Sequence, residues 1–238
     1  MQATSFEFRH RFLILVGVFV AGFGGYRCDS LSAAEAFGGV LTPVLGRNGT
    51  GVVLWFGTAL TLAAALIRTW SSAYLGADVV GDSVVRSETL VANGPYRYVR
   101  NPLYLGLILF AAGFGVTASR VGWFVIVFGS FVFLYRLLRW EESELSANQG
   151  ESYRTFLIRV PRLLPALTRR LPFGDQKPRW LPALAGEILM WGFAVAMVAL
   201  AIAREADLFR WLVAGSFVVY FVVRIARRAL ARAQPKKA

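Results

Sequence analysis

The chain has 238 residues, 56% of them hydrophobic and only 17% charged, against roughly a quarter charged in soluble domains. Its net charge of +12 is spread between apolar runs of membrane-spanning length. It therefore reads as the basic bias of an integral membrane protein, with attraction to anionic lipid, and not as a nucleic-acid surface. A single cysteine, Cys28, excludes an intramolecular disulfide, and with His10 as the one histidine no metal ligand set remains.

Six apolar segments predict an all-α, polytopic membrane bundle of about six transmembrane helices. The first, 12–26, follows Arg9 and Arg11 as in a signal peptide. It lacks a convincing small-x-small cleavage site, despite Ala21-Gly22, and is read as a retained helix. Residues 27–50, rich in Gly, Ser and Ala, read as a loop of interfacial character. A second helix spans 51–70, followed by a polar stretch over 71–101. The third and fourth, 102–118 and 121–139, form a tight hairpin turning at Ser119-Arg120. The apolar part of the third is about 24 Å long at ~1.5 Å per residue, short of a ~30 Å hydrocarbon core. A long basic segment fills 140–181. The last helices are 183–203 and 208–226, and the basic end with Arg224, Arg227, Arg228, Arg232, Lys236 and Lys237 reads as an anchor to anionic headgroups.

Placing both termini and the two polar segments on one side leaves Arg27, Arg47, Arg120, Arg204 and Arg210 as the basic residues opposite. By the positive-inside rule that richer side is cytoplasmic, in a bacterial inner membrane, with an even number of crossings. Three regions follow: two N-terminal helices (1–70), a core (71–165) and a C-terminal extension with two helices (166–238). No Walker loop, GxGxxG or HExxH is present.

Two segments at the cytoplasmic foot of the bundle carry chemistry. The first, SETLVANGPYRYVRNPLYLG (87–106), holds Tyr96, Arg97, Tyr98, Arg100 and Asn101 between two prolines and Tyr104 just beyond them. Pro95 and Pro102 disfavour helix at Gly94 and Asn101, so the chain between them is a structured loop that enters the third helix with Pro102 in its first turn. Free N–H groups at such a start suit an anion, and Arg100 adds a fork suited to a carboxylate. An aromatic belt with snorkelling arginines would share this composition. The second segment, RWEESELSANQGESYRTFLIRVPRLLP (139–165), carries Glu141 and Glu142 where the fourth helix leaves the membrane. Carboxylates there point to function, although Arg139 at i,i+3 offers Glu142 a plain surface partner. Gly150 is expected to break this helix, Tyr153 to open a new stretch, and Val160-Pro161 with Pro165 to fix an extended end. Glu187, just inside the fifth helix, either snorkels or faces a cavity.

Together these segments resemble the isoprenylcysteine carboxyl methyltransferases and, more distantly, the phospholipid N-methyltransferases. The family pattern runs Leu-Val-x-x-Gly-x-Tyr, Arg-His-Pro-x-Tyr, Glu-Glu-x-x-Leu, Gly-x-x-Tyr and Val-Pro-x-x-x-Pro. Here it reads Leu90-Val91, Gly94, Tyr96, Arg100-Asn101-Pro102-Leu103-Tyr104, Glu141-Glu142, Leu145, Gly150, Tyr153, Val160-Pro161 and Pro165. The resemblance implies binding of S-adenosylmethionine on the cytoplasmic face and methyl transfer to a lipid or amphiphilic acceptor, with an isoprenylcysteine-like carboxylate favoured. The implied cofactor residues are Leu90, Val91, Tyr96, Arg100, Asn101, Pro102, Leu103, Tyr104, Glu141 and Glu142. Asn101 replaces the family's His: it hydrogen-bonds but cannot titrate, which excludes a general base there. The prenylcysteine enzymes carry a substrate-binding arginine at the position of Leu137, so Arg136 and Arg139 beside it become the acceptor-side candidates, with Asn101. Two rivals share the membrane signature: an NADPH-dependent sterol reductase, which the Leu107 that follows Gly106 and the Glu141-Glu142 block disfavour, and a non-enzymatic membrane protein on the same scaffold.

Overall fold

The computed structural model describes residues 2–75, 93–172 and 176–233, and among them there is helix and no strand. The N-terminal helix α1 (Ser5–Arg9) starts with a capping box, in which Thr4 accepts from the Glu7 N–H and Glu7 accepts from the Thr4 N–H. Helix α2 (Arg11–Gly24) follows at once and packs antiparallel to the fourth predicted helix. Gly22 abuts Gly122 and Ile126, and the Ala3 N–H bonds the Arg136 carbonyl at 3.1 Å.

Helix α3 (Ala33–Leu45) occupies part of the stretch expected to be a loop. Gly38, Gly39 and Pro43 hid it in the sequence. A second capping box, between Ser32 and Glu35, starts it, and Gly38 lets it lie directly on the backbone of Gly49 and Thr50. Helix α4 (Gly49–Leu75) then runs the length of the bundle. It meets α5 (Pro102–Phe114) through Gly57 and Gly113, small residues that bring two backbones together where no water is present to drive apolar contact. Its buried Thr58 hydroxyl returns to the Leu54 carbonyl (2.8 Å) and reaches the Met197 carbonyl (3.2 Å).

Pro102 opens α5 in its first turn, as expected, and Ser119 caps α6 (Arg120–Arg159) through the Gly122 N–H at 3.0 Å. Helix α6 has 40 residues and passes through Gly150 without a break. The roughly 1 kcal/mol penalty of a helical glycine is outweighed there by the packing of Tyr153 and Phe156 with Leu157 and Leu171. The helix ends at Val160, which is extended ahead of Pro161.

Helices α7 (Trp180–Gly186) and α8 (Ile188–Ala203) meet at a 66° bend on Glu187. The last, α9 (Ala206–Ala233), packs along α8. Phe110, Phe114, Phe193, Phe209 and Phe217 stack where α5, α8 and α9 converge. Apolar helices occur in all six predicted places, but length alone supports fewer spans. Ala33–Leu75, Arg120–Asn148 and Ala206–Ala229 are long enough to cross a membrane, and the bent α7–α8 pair makes a fourth if counted as one. The Pro102–Thr117 stretch is shorter, and α2 has 14 residues, about 21 Å. The chain is an integral membrane protein with three to four such spans among its described residues.

Candidate active site

One end of the bundle holds the Arg120–Asp29 ion pair and Arg204 against Gly51. The two motif segments meet at the other. Gly94 opens the first with a left-handed φ of 57°, under the Tyr74 ring, where a Cβ would collide. A 3₁₀ turn over Gly94–Arg97 follows. The loop is then laced to the chain after α6. The Arg100 N–H bonds the Pro161 carbonyl at 2.8 Å, the Ala166 N–H bonds Tyr98 at 2.9 Å, and the Arg170 N–H bonds Arg97 at 2.9 Å. Buried Arg97 adds Nε to the Leu171 carbonyl at 3.0 Å.

The paired glutamates do different things. Glu142 is buried and its two oxygens are bracketed. Oε1 accepts from Arg100 (2.8 Å) and Asn101 (3.3 Å), and Oε2 accepts from Nε and Nη2 of Arg162 (3.0 and 2.8 Å). So the fork expected of Arg100 meets a carboxylate from its own chain, and Glu142 pairs with Arg100 and Arg162 in place of Arg139. Asn101 also donates to the Arg162 carbonyl at 3.2 Å, which places it in this bracket. Arg162, which the sequence reading passed over, follows directly on Val160-Pro161, the signal that could have marked it.

Glu141, a quarter-turn round α6, faces α5 and accepts from the Tyr104 hydroxyl at 2.7 Å. Tyr104 packs among Phe133, Leu134 and Leu137 of α6 and Phe8 of α1. Tyr96 is 8% exposed, and its hydroxyl has no hydrogen-bond partner among the described residues. Burial, reinforced by the negative charge of Glu141, pushes that hydroxyl well above the ordinary tyrosine range, so it stays a protonated donor. A buried donor without an acceptor is costly. This one lies in the electrostatic reach of Glu141, Arg68 and Glu187.

The acceptor-side candidates are placed differently. Arg136 gives Nη2 to both oxygens of Glu7, at 2.9 Å each, and so holds α1. Arg139 is exposed, and Leu137 is fully buried. Pro102 and Leu103 form the first turn of α5, where the Leu103 carbonyl accepts from Arg68 Nη1 at 3.3 Å. Leu90 and Val91 lie outside the described residues. Beside the site, an apolar groove of about 260 Å³ runs between α4 and α5, lined by Ile67, Trp70, Tyr98 and Leu105. A wider cleft of about 560 Å³ lies along Arg100, Pro161, Pro165 and Arg170.

Residues 52–151, which contain Tyr96, Tyr104 and both glutamates, match the family model for phospholipid methyltransferases. This segment is similar to the phospholipid methyltransferases. The chain is also similar to a protein of Bradyrhizobium diazoefficiens named methanethiol S-methyltransferase 2, with 31% identity over 105 residues. That alignment takes in 44% of this chain and 38% of the relative, so the chain spans well under half of the curated protein it matches. No solved structure matches the chain.

Proposed function

We propose that the chain is a membrane methyltransferase that takes its methyl group from S-adenosylmethionine and delivers it to a thiol acceptor at the cytoplasmic side of a bacterial inner membrane. The observation that carries this reading is the Tyr104–Glu141 hydrogen bond at the foot of α5 and α6, with the buried Tyr96 hydroxyl, which has no partner among the described residues, in electrostatic reach of Glu141 and within the family-matched segment. The residues fit the cofactor. A carboxylate such as Glu141 suits its ammonium, the Tyr96 hydroxyl is a buried donor with no acceptor among the described residues, and tyrosine rings favour a positive sulfonium. When bound, the cofactor supplies an electrophilic methyl group on that sulfonium.

The chain's own residues orient and dry the site. Glu142, Arg100, Asn101 and Arg162 hold the loop rigidly against α6, so that Tyr96 and Tyr104 keep fixed positions relative to Glu141. Most of the gain expected of such a scaffold comes from orientation of two reactants and exclusion of water, which keeps charge attraction strong. No general base is required for an acceptor that reacts as its anion.

The acceptor differs from the one favoured by sequence resemblance. A prenylcysteine carboxylate asks for a cation at 136–139, and there Arg136 is held by Glu7, Leu137 is buried and Arg139 is exposed. A thiolate, the nucleophilic form of a thiol, needs no fork, and the name of the relative points the same way. The apolar groove between α4 and α5 suits acceptors that partition into lipid. The test is methyl transfer by detergent-purified protein to a small alkyl thiol, a prenylated cysteine and a phosphatidylethanolamine. Turnover of the thiol is expected. Turnover of the prenylcysteine with the thiol inert would return the acceptor to a carboxylate, and absence of transfer and of cofactor binding would sink the reading.

A further inference from the structure

Helices α7 and α8 lie beyond residue 151, where the family-matched segment ends. Their bend carries Glu187, a buried carboxylate among apolar helices, with 4% of its side chain exposed. Arg68 of α4 meets it with a two-point pair, Nε to Oε2 at 2.7 Å and Nη2 to Oε1 at 3.0 Å. Ser72 adds its hydroxyl to Oε1 at 2.8 Å. The remaining guanidinium nitrogen, Nη1, donates to the Leu103 carbonyl in the first turn of α5. Gly106, one turn further along α5, leaves open the space that the Arg68 stem crosses.

Burying two charges carries a desolvation cost that their attraction only partly returns, and ionisable groups at membrane depth mark function by default. Attachment of α8 to α4 does not require them. The Thr58 bond to Met197 and the phenylalanine stack already join the C-terminal helices to the core. What the pair adds is a third, directional contact onto Leu103, the neighbour of Tyr104, which holds Glu141.

We infer that Arg68 and Glu187 are positioning residues for the cofactor site: Glu187 aims the Arg68 fork, and the fork fixes the first turn of α5, so the C-terminal helices complete a site that the family-matched segment leaves open. This rests on the proposed use of S-adenosylmethionine. The fork works by shape as well as charge. Lysine at position 68 would keep the ion pair but could not hold both carboxylate oxygens and the carbonyl. Among the described residues the Ser72 hydroxyl bonds Glu187 and neither Arg68 nor Leu103, so its loss is expected to lower stability while the two-point Arg68 pair keeps the aim.

The experiment is calorimetric titration of S-adenosylmethionine into purified wild type, Arg68→Lys, Glu187→Gln and Ser72→Ala, with apparent Tm measured on the same preparations. Arg68→Lys is expected to weaken cofactor affinity about tenfold, the worth of one charge-assisted hydrogen bond, with the number of sites unchanged. Ser72→Ala is expected to lower Tm with wild-type affinity. Should Arg68→Lys not fold, Glu187→Gln serves, with the same loss of affinity expected. Wild-type affinity in the folded Arg68→Lys or Glu187→Gln protein overturns the inference, as does a loss of affinity that tracks Tm through all three variants. A folded wild type that binds no S-adenosylmethionine instead overturns the proposed function on which the inference stands.

Discussion

Replacing Glu142 with glutamine takes away the carboxylate that Arg100 and Arg162 both hold. The Arg100 side chain is 13% exposed and that of Glu142 is 8% exposed, so this pair sits largely out of water. Breaking one partner of a buried pair costs about 3–5 kcal/mol. Arg162 is 37% exposed and regains water, so its share is discounted. The lower end, about 3 kcal/mol, is therefore the expected loss. At roughly 2–4 °C per kcal/mol for a chain of this size, apparent Tm should fall by about 6–12 °C. Glu141→Gln should behave in the opposite way. It keeps an acceptor for the Tyr104 hydroxyl at little cost in Tm, but it loses the charge proposed to meet the cofactor ammonium. Thermal unfolding and cofactor titration of both variants, run in parallel in detergent, make the comparison. A Glu142→Gln protein with wild-type Tm, or a Glu141→Gln protein with wild-type affinity, would refute the division of labour drawn between these adjacent residues.

Tyr96→Phe removes a buried donor that has no acceptor among the described residues, so Tm should hold or rise slightly, while cofactor affinity, followed by calorimetry, should drop several-fold. Gly94→Ala forces a left-handed backbone onto alanine beneath the Tyr74 ring. It should cost at least about 1–2 kcal/mol, read as a lower Tm, and a protein of unchanged Tm would show that the loop is not held there. The Glu7 carboxyl lies below the ordinary glutamate range because it accepts the Thr4 backbone N–H and the Arg136 guanidinium. A lowered folded-state pKa contributes stability that is full above the unfolded value and is lost as pH falls through the folded one. Protection factors of the α1 amides, with the intrinsic pH dependence of exchange divided out, should therefore hold from neutrality to the ordinary glutamate range and fall only below it. A loss of protection beginning near neutrality would assign the attachment to other groups.

Much of this fold is local enough to read from sequence. Pro102 at the first turn of α5, the Ser119 turn and the extended Val160-Pro161 end follow from residues acting on their immediate neighbours. The errors arose where distant contacts decide. Gly38-Gly39 and Pro43 lower helix propensity locally, and what makes α3 worthwhile is the close approach of Gly38 to Gly49, invisible along the chain. Gly150 reads as a breaker until Tyr153 and Phe156 find Leu171. In the site, residue types were legible and pairings were not. The Arg100–Glu142 bond joins positions 42 apart, and the Arg68–Glu187 bond joins positions 119 apart. Arg136 reads along the chain as an acceptor-side candidate, and the Glu7 carboxylate that it meets in the fold lies 129 residues away.

The unbroken course of α6 ties chemistry to the thickness of the bilayer. From Arg120, at one end of the bundle, to Glu141 the helix rises about 32 Å at ~1.5 Å per residue, close to one hydrocarbon layer. With the helix continuous between them, the distance from the far interface to the glutamate acts as a ruler. A thicker membrane draws Glu141 toward lipid, a thinner one leaves it in water, and tilt of the whole helix is the available adjustment. Turnover measured in vesicles of graded acyl length should therefore peak where the layer matches the ruler.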